Sequence, residues 1–308
     1  MQKRTAFKLC LAGATAVALN AAPVAVFAKD EPLKVAFVYV SPANEEGWSS
    51  QHDIARKFVE EKFGDKIKVT WIENIPENAD AQRVIRDLAQ QGNKIIFATS
   101  FGYMNSVMKV AKQFPNVYFE HATGYKTSKN VKNYTARFYE GRYLAGMLAA
   151  ATLIGMKADV ITHHTNSTAV ASTCEEAKVP VISYNSAMHK AAPTMLLGGV
   201  VHRWEEYYTN EIQKVLDGKW DNTPVWGGAN VHMIELADMT PKAPENVASR
   251  IKSTYAKLEK GEFHPFTGPV VSNEGKVMIP EGKVATDEEL QQMMYFVEGV
   301  ASKVPTAK

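Results

Sequence analysis

Cysteine is scarce in this sequence. The 308 residues include two cysteines, Cys10 and Cys174, and the first lies in an N-terminal segment that we expect to be removed. The remaining chain then cannot form an internal disulfide. Cys174 sits in the string S-T-C-E-E-A-K, with no histidine at a spacing typical of a catalytic pair. The sequence therefore gives no support for a thiol enzyme.

An excess of one charge sign is also missing. Lys and Arg total 35 against 33 Asp and Glu, which leaves a net charge of +2. No basic patch with interleaved aromatic residues occurs, so nucleic-acid binding has no support. The sequence likewise lacks the string G-x-S-x-G, a phosphate-binding loop and a zinc signature. We therefore predict that the protein is not an enzyme, and we expect no metal site and no cofactor.

The N-terminus has the composition of a secretory signal. Basic residues at positions 3, 4 and 8 precede an apolar stretch from Leu9 to Ala22, and Val26-Phe27-Ala28 supplies small residues where a signal peptidase reads the chain. We predict a signal peptide over residues 1–28, cleavage after Ala28 and a periplasmic protein. The alternative is a membrane anchor, but the apolar stretch is shorter than the ~20 residues that span a bilayer.

The rest of the chain alternates short apolar runs with helical periodicity. Residues 33–40 and 94–99 are predicted strands buried on both faces, and residues 49–63 form a predicted helix. The rhythm resumes with a predicted strand at 158–163, and a predicted helix over 287–299 closes the chain. Strands separated by helices imply parallel sheets covered on both faces. The predicted fold class is α/β, with doubly wound parallel sheets.

In parallel sheets, ligands bind beyond the carboxyl ends of the strands. The loops at those ends hold aromatic and neutral polar side chains, a mixture that suits a flat ligand with hydrogen-bonding edges. For each aromatic residue the alternative is a side chain that only covers the core. The candidate ligand contacts from these loops are Asn44, Trp48, Phe101, Tyr103, Asn105, Tyr184 and Asn185.

Two adjacent histidines, His163 and His164, lie at the end of the predicted strand 158–163. Neighbouring strand residues point to opposite faces, so we do not expect this pair to share a metal ion. A periplasmic hydrolase that uses one of them remains an alternative. A loss of activity on changing either histidine, with ligand binding unchanged, would be needed to support it.

Six longer strings carry a family resemblance: GWSSQHD (47–53), ENIPENADAQRVI (73–85), TSFGYMN (99–105), FEHATGYKT (119–127), ARFYEGRYLAG (136–146) and FHPFTGP (263–269). Together they resemble the basic membrane protein family of ABC-transporter substrate-binding proteins. The resemblance implies a type I periplasmic-binding fold, in which two α/β lobes joined by three crossovers hold the ligand in a cleft. It also implies a purine nucleobase or nucleoside as ligand and an ABC permease in the inner membrane as partner.

The resemblance also assigns individual residues. Trp48 matches the aromatic of the first lobe, and Phe101 and Asn105 match a loop near the base. The string Tyr184-Asn185-Ser186-Ala187 matches a family string Y-D-S-D, and Trp204 begins a string W-x-x-Y-Y on a crossover helix. Asn185 and Ala187 stand at positions where the family has Asp. Because a charge-assisted hydrogen bond is about twice as strong as a neutral one, ribose capture is expected to suffer.

The chain departs from the family in length as well. After Leu144–Met147 the family continues with a linker and further strands and helices, whereas residues 148–162 follow here directly. On the order of 60 residues, one βαβ unit and more, are absent by this comparison. We therefore predict one fused helix across the junction and a truncated second lobe that clamps a ligand poorly.

The predicted domains follow from the same strings. They are a signal (1–28), an N-terminal lobe (33–140 with about 201–219), a shortened C-terminal lobe (about 141–200 with 220–270) and a C-terminal segment (271–308).

The leading hypothesis is a monomeric periplasmic solute-binding protein of an ABC importer that binds a purine nucleobase or nucleoside between its lobes. The alternative is a truncated family member with lost or altered ligand binding and no transport role. The absent unit and the two lost carboxylates favour this alternative. Direct ligand binding separates the two hypotheses.

Overall fold

A computed structural model describes residues 31–44, 46–156, 160–237, 239–240, 245–302 and 304, with the backbone alone for residues 149–156. The predicted signal peptide, residues 1–28, lies outside the described residues. The strands in chain order are β1 (Leu33–Val38), β2 (Ile67–Ile72), β3 (Ile95–Ala98), β4 (Tyr118–Ala122), β5 (Val131–Ala136), β6 (Ile161–Thr162), β7 (Val181–Asn185), β8 (Leu196–His202), β9 (Val225–Gly227), β10 (Ile234–Ala237), β11 (Val270–Val271) and β12 (Val277–Ile279). The helices in chain order are α1 (Trp48–Phe63), α2 (Ala79–Gln90), α3 (Met104–Ala111), α4 (Phe138–Met156), α5 (Ala169–Ala177), α6 (Glu205–Leu216), α7 (Glu245–Glu259) and α8 (Asp287–Gln291).

The first sheet has the order β2-β1-β3-β4-β5-β9 among the described residues, and all of its pairings are parallel. Successive residues of β1 enter opposite layers because side chains alternate across a strand. Val35 and Phe37 pack with residues of α1 and α6, whereas Ala36 and Val38 pack with residues of α2 and α3. The sheet is therefore covered on both faces, which confirms the predicted α/β class.

The second sheet is smaller, with the order β10-β8-β7-β6 in the described part of the chain. Its pairings are parallel except for β10, which runs antiparallel to β8. Helices α4 and α7 lie on one side, and α5 packs against β7 on the other through Cys174 and Val181. At the free edge, β6 holds two residues, Ile161 and Thr162, and both are exposed. This edge strand is shorter than the strand predicted at 158–163, of which residues 158 and 159 are not described.

Helix α4 crosses the junction at which the family pattern breaks. It runs without interruption from Phe138 to Met156 and packs its described part against β8, β10 and α7. The prediction of one fused helix is thereby confirmed. None of the described helices combines the length and the apolar composition needed to cross a bilayer.

The predicted helix over residues 287–299 is wrong beyond its first turns. Helix α8 ends at Gln291, although its start has a capping box, in which Thr286 accepts from the backbone N–H of Glu289. The chain then turns to pair with the segment that contains β11. The backbone N–H of Asn273 donates to the Phe296 carbonyl at 2.8 Å, and that of Glu298 donates to the Val271 carbonyl at 2.8 Å. These long-range hydrogen bonds override the local helical pattern.

Strand β8 was not predicted, because its Gly198-Gly199 pair is typical of a turn. Gly199 instead serves close packing within the second sheet. A Cβ atom at this position would lie 2.7 Å from Ser183 Oγ and 2.8 Å from Ala187 Cα, so no larger residue fits. Strands β5, β9, β10, β11 and β12 were also missed.

The chain passes between the two sheets three times, through α4, through α6 and between β9 and β10. These passages resemble the three crossovers that the family implies. Strand β9 belongs to the first sheet, although residues 220–270 were assigned to the C-terminal lobe. The lobe boundaries themselves stay a prediction.

A buried charge network ties α6 to the first sheet. Lys132 of β5 donates to Glu211 of α6 at 2.7 Å, and neither side chain is more than 2% exposed. Beside them, Glu120 accepts hydrogen bonds from the Tyr207 hydroxyl and the Trp220 indole, both at 2.6 Å. Burial, together with the nearby Glu211 carboxylate, raises the pKa of Glu120 to about 8, although Lys132 opposes this rise.

Glu120→Gln tests this network. The folded pKa of Glu120 lies above the value of about 4.3 expected in the unfolded chain, so the folded state retains a proton that the unfolded state has lost. The resulting stabilisation is complete below the unfolded pKa and is lost as pH rises through the folded pKa, with a slope of up to about 1.4 kcal/mol per pH unit. The variant mimics the protonated acid, and its free energy of unfolding should fall less than that of the wild type between pH 5 and 8. Urea denaturation at several pH values measures this, with the exposed Glu206→Gln as the control. Parallel curves for Glu120→Gln and wild type would contradict it.

Candidate functional site

A cleft opens where the carboxyl ends of the two sheets meet, which is where ligands bind in folds of this class. Its volume is about 390 Å³. The first sheet and its connections contribute Val40, Trp48, Ser100, Phe101, Thr123 and Phe138. The second sheet and its loops contribute His164, Asn166, Tyr184 and Asn185.

Larger hollows occur elsewhere on the described surface. One of about 630 Å³ lies between the first turns of α4 and residues 265–300, and another of about 690 Å³ lies beside β9 and α8. Size alone does not identify a binding site. The smaller cleft is the better candidate because strand ends of both sheets deliver aromatic and polar side chains into it.

Trp48 forms one wall of the cleft in a fixed orientation. Its indole N–H donates to the Thr99 carbonyl at 2.6 Å, which anchors the ring to the end of β3. The ring meets His52 edge to face at a centroid distance of 4.6 Å and Trp204 at 5.8 Å. Since Trp48 is the first residue of α1 and only half-buried, its ring is held rigidly at the edge of the core.

Three planar groups in mutual contact form the opposite wall. The His164 ring lies over Tyr184 with centroids 4.5 Å apart, and the Arg142 guanidinium lies 3.8 Å from the Tyr184 centroid. An Arg142 Nη2 group donates to His164 Nδ1 at 2.5 Å. Burial and the neighbouring Arg142 lower the pKa of His164, which keeps this imidazole neutral and able to accept.

Polar contacts bridge the mouth of the cleft. The Asn166 side chain accepts from the backbone N–H of Trp48 at 2.7 Å and donates to Ser41 Oγ at 3.1 Å. The backbone N–H of Lys190 also donates to the Glu46 carboxylate at 3.2 Å. These contacts link loops of the second sheet to loops of the first on the ligand-binding side.

The structure brings four of the eight candidate residues into the cleft: Trp48, Phe101, Tyr184 and Asn185. Phe101 is 54% exposed, so its ring faces largely toward solvent. Asn185 has a left-handed backbone with φ of 70°, a conformation that asparagine tolerates better than most residues.

The other four candidates lie outside the cleft lining. Asn44 and Asn105 are exposed, and Asn105 accepts from Lys126 Nζ at 3.0 Å. Tyr103 is fully buried and donates its hydroxyl hydrogen to the Ile75 carbonyl at 2.5 Å. Trp204 is fully buried and stacks on His52, one layer beneath Trp48. Ligand contact by any of the eight residues stays a prediction.

Several cleft residues were missed by the sequence reasoning. His164 and Asn166 follow β6 directly, so the rule that ligands bind at carboxyl ends pointed to their loop. Phe138 gave no such signal because it begins a helix.

His163 is buried and its carbonyl accepts from Arg142 at 3.2 Å. The described residues contain no group of three or more His, Cys, Asp or Glu side chains arranged to hold a metal ion.

Gly47→Ala tests how tightly the mouth of the cleft is built. Gly47 has a φ of 141°, and a Cβ atom would lie 2.5 Å from Asn166 Oδ1, so the substitution adds both backbone strain and a clash. Backbone strain of this kind costs about 1–3 kcal/mol. The variant should lose more unfolding free energy than the control Gly64→Ala, whose φ of 52° is strained but whose surroundings are open. Adding Asn166→Gly should recover part of the loss, as measured by urea denaturation. Equal losses at both glycines, with no recovery in the double variant, would contradict this account.

Known proteins resemble this chain over most of its length. The family described as "ABC transporter substrate-binding protein PnrA-like" matches residues 33–155, so the match ends within α4, eight residues beyond Met147. A purine-binding protein of Brucella abortus is 36% identical over 333 positions that cover 90% of this chain and 95% of the relative. A putative ABC transporter glucose-binding protein of Haloferax volcanii is 27% identical and covers 90% of this chain and 82% of the relative.

The Brucella alignment also bears on the predicted gap. It is 333 positions long but uses 90% of 308 residues, so about 56 of its positions face a gap in this chain (333 against 0.90 × 308). This number is close to the length that the resemblance implied to be absent.

A solved structure supports the fold independently. An ABC transporter solute-binding protein from Conexibacter woesei has a TM-score of 0.62 at 16% identity and covers 75% of this chain and 98% of its own. At this identity the likeness concerns the fold alone, and that fold is the type I periplasmic-binding fold. With the extensive identity to the Brucella protein, the chain belongs to the Bmp family of PnrA-like ABC transporter substrate-binding proteins.

Proposed function

We propose that this protein is the exported receptor of an ABC importer and that it binds a purine nucleobase or nucleoside in the cleft between its two sheets. The observation that carries the proposal is the pair of aromatic walls, Trp48 on one side and Tyr184 on the other, at the carboxyl ends of both sheets. Proteins of this family are solute-binding proteins rather than enzymes, and the Brucella relative is named for purine binding.

The proposed ligand is planar because the cleft offers flat surfaces. Aromatic rings stack on the faces of a heterocycle, and each stacked face contributes about 1–3 kcal/mol. The rim supplies neutral groups that can read the ligand's edge, namely Ser100, Thr123, Asn166 and Asn185. Such a site orients a base through a few hydrogen bonds while stacking supplies most of the affinity.

A free base fits the charge of the cleft better than a nucleoside does. Among the described residues, those that line it include no carboxylate, and Asn185 and Ala187 stand where the family has Asp. Hydroxyl groups of a sugar bind more strongly to an ionised acceptor than to a neutral one. The cleft can therefore stack on a base but lacks the stronger grip on a ribose, and we propose that affinity decreases from base to nucleoside.

The transport role rests on family membership. Substrate-binding proteins of this family bind a small solute outside the cytoplasm and deliver it to a permease in the membrane.

We propose that the protein acts as a monomer in the periplasm and is exported by means of residues 1–28. The exported protein should then begin at Lys29, and intact-mass measurement of the periplasmic fraction tests this. A Phe27→Arg, Ala28→Arg variant should retain the segment, because the signal peptidase requires a small residue before the cut. A full-length mass for the exported wild type would contradict the cleavage site.

Trp48→Ala tests the proposed function. Thermal unfolding of residues 29–308 with purine bases, nucleosides and glucose identifies the ligand, since a ligand at 100 times its Kd stabilises the fold by about 2.7 kcal/mol. Loss of one stacking face in Trp48→Ala should weaken binding about 5- to 150-fold, measured by titration calorimetry. The matched control is Trp71→Ala, since Trp71 is 45% exposed and lies outside the cleft lining.

The outcomes separate the two hypotheses for this chain. A cooperative transition that no purine shifts would overturn the proposal in favour of a family member with lost or altered ligand binding. Equal weakening by Trp48→Ala and Trp71→Ala would remove the cleft from the binding account.

A further inference from the structure

A histidine without hydrogen bonds lies directly beneath the cleft. His202 is the last residue of β8, and its side chain is fully buried. Neither ring nitrogen has a hydrogen-bond partner among the described residues. Most buried polar groups in folded proteins are paired, so an imidazole with two unpaired nitrogens requires an explanation.

The neighbours of His202 are the aromatic walls of the cleft. Its ring centroid lies 4.6 Å from Phe138, 5.0 Å from Tyr184 and 5.3 Å from Trp48, and all three rings line the cleft. The imidazole is thus one ring thickness from the space that a ligand would enter. It also stands at a strand's carboxyl end, the position from which parallel sheets contact ligands.

Further unpaired nitrogens surround it. His52 Nε2 and Trp204 Nε1 are buried without partners in the described part of the chain. The His52 and Trp204 rings stack at 4.9 Å, and Trp204 lies 5.9 Å from His202. Three contacting rings beneath one cleft therefore hold four of the nine buried side-chain atoms that lack a partner in the described residues.

We propose that His202 is a ligand-reading residue of this cleft, which hydrogen-bonds a ring nitrogen of a planar heterocycle when the ligand displaces the Phe138 ring above it and stacks between Trp48 and Tyr184. The inference rests on the proposed function. A neutral imidazole offers one N–H donor and one nitrogen acceptor. It can therefore pair with a ring nitrogen that accepts or with a ring N–H that donates. Burial, with smaller effects of Arg142 and His164, lowers the pKa of His202 to about 3, which keeps the ring neutral at physiological pH. A site that must pair a buried polar group rejects ligands that lack the partner.

The test uses the exported chain, residues 29–308, and the purine base that binds it. His202→Phe keeps the ring and removes both nitrogens. Without ligand, its Tm should rise by on the order of 2–4 °C because unpaired polar atoms are removed. Its affinity for the base should fall by at least about tenfold because the hydrogen bond is lost. His202→Gln retains a donor and an acceptor and should recover part of the affinity.

Thr209→Val is the matched control. Thr209 Oγ1 is also buried and unpaired among the described residues, but Thr209 lies on α6 and does not line the cleft. This variant should gain stability with unchanged affinity. If His202→Phe behaves in the same way, with the affinity of wild type, the inference is overturned while the proposed function stands.

Ligand analogues give a second, independent measurement. Bases in which carbon replaces a single ring nitrogen (the 1-deaza, 3-deaza, 7-deaza and 9-deaza forms) should bind wild type less well where that nitrogen pairs with His202. The penalty for that analogue should disappear in His202→Phe, since coupled groups do not contribute additively. Penalties of equal size in both proteins for every analogue would overturn the inference. Binding of no base by wild type would overturn it together with the proposed function.

Discussion

The packing of Trp204 on His52 and Trp48 holds the two sheets together at the ligand-binding side. Trp204 lies in the short connection between β8 of the second sheet and α6, which packs on the first sheet. Its ring stacks on His52 of α1 with an interplanar angle of 6°. One buried aromatic core therefore extends from the first sheet to the second, and Trp48 projects from that core into the cleft. Large buried aromatic groups of this kind dominate packing energies, so the geometry of the cleft depends on this contact.

Some buried polar groups of this protein have hydrogen-bonding or charged partners, and others do not. In the network around Lys132, each buried charge has an oppositely charged or hydrogen-bonding partner, so burial is tolerated. Beneath the cleft, by contrast, His202 and Trp204 keep nitrogen atoms without partners among the described residues. Departures from the usual pairing rule tend to concentrate at functional sites, where stability is exchanged for recognition. Thr209 also holds an unpaired buried oxygen, so what distinguishes His202 is that its neighbours are the rings that line the cleft.

The sequence predicted the framework better than its details. Apolar runs such as β1 and β3 were predictable because burial on both faces leaves a continuous hydrophobic pattern. Strand β5 was missed because it contains Lys132, whose burial becomes possible only through Glu211, distant in sequence. The fused helix was predictable from the resemblance, whereas no local pattern indicates which residues occupy the free edge of the second sheet.

The site was predictable only in part for a related reason. Trp48 and Tyr184 stand at strand ends, where the carboxyl-end rule applies. The same aromatic composition holds for Tyr103 and Trp204, which packing draws into the core. Asn166 belongs to a loop that was singled out, but its role in bridging the mouth depends on the contact with Trp48 across the cleft. Side-chain direction at such positions is set by tertiary packing, which a single sequence does not specify.

The bridge at the mouth has a kinetic consequence. The hydrogen bonds of Asn166 with Trp48 and Ser41, and that of Lys190 with Glu46, join loops of the two sheets on the side of the cleft. If the two sheets move apart before a solute enters, these bonds have to break first. When binding requires such a conformational step, association is slower than simple diffusion allows. At high solute concentration the observed association rate then reaches a plateau equal to the opening rate.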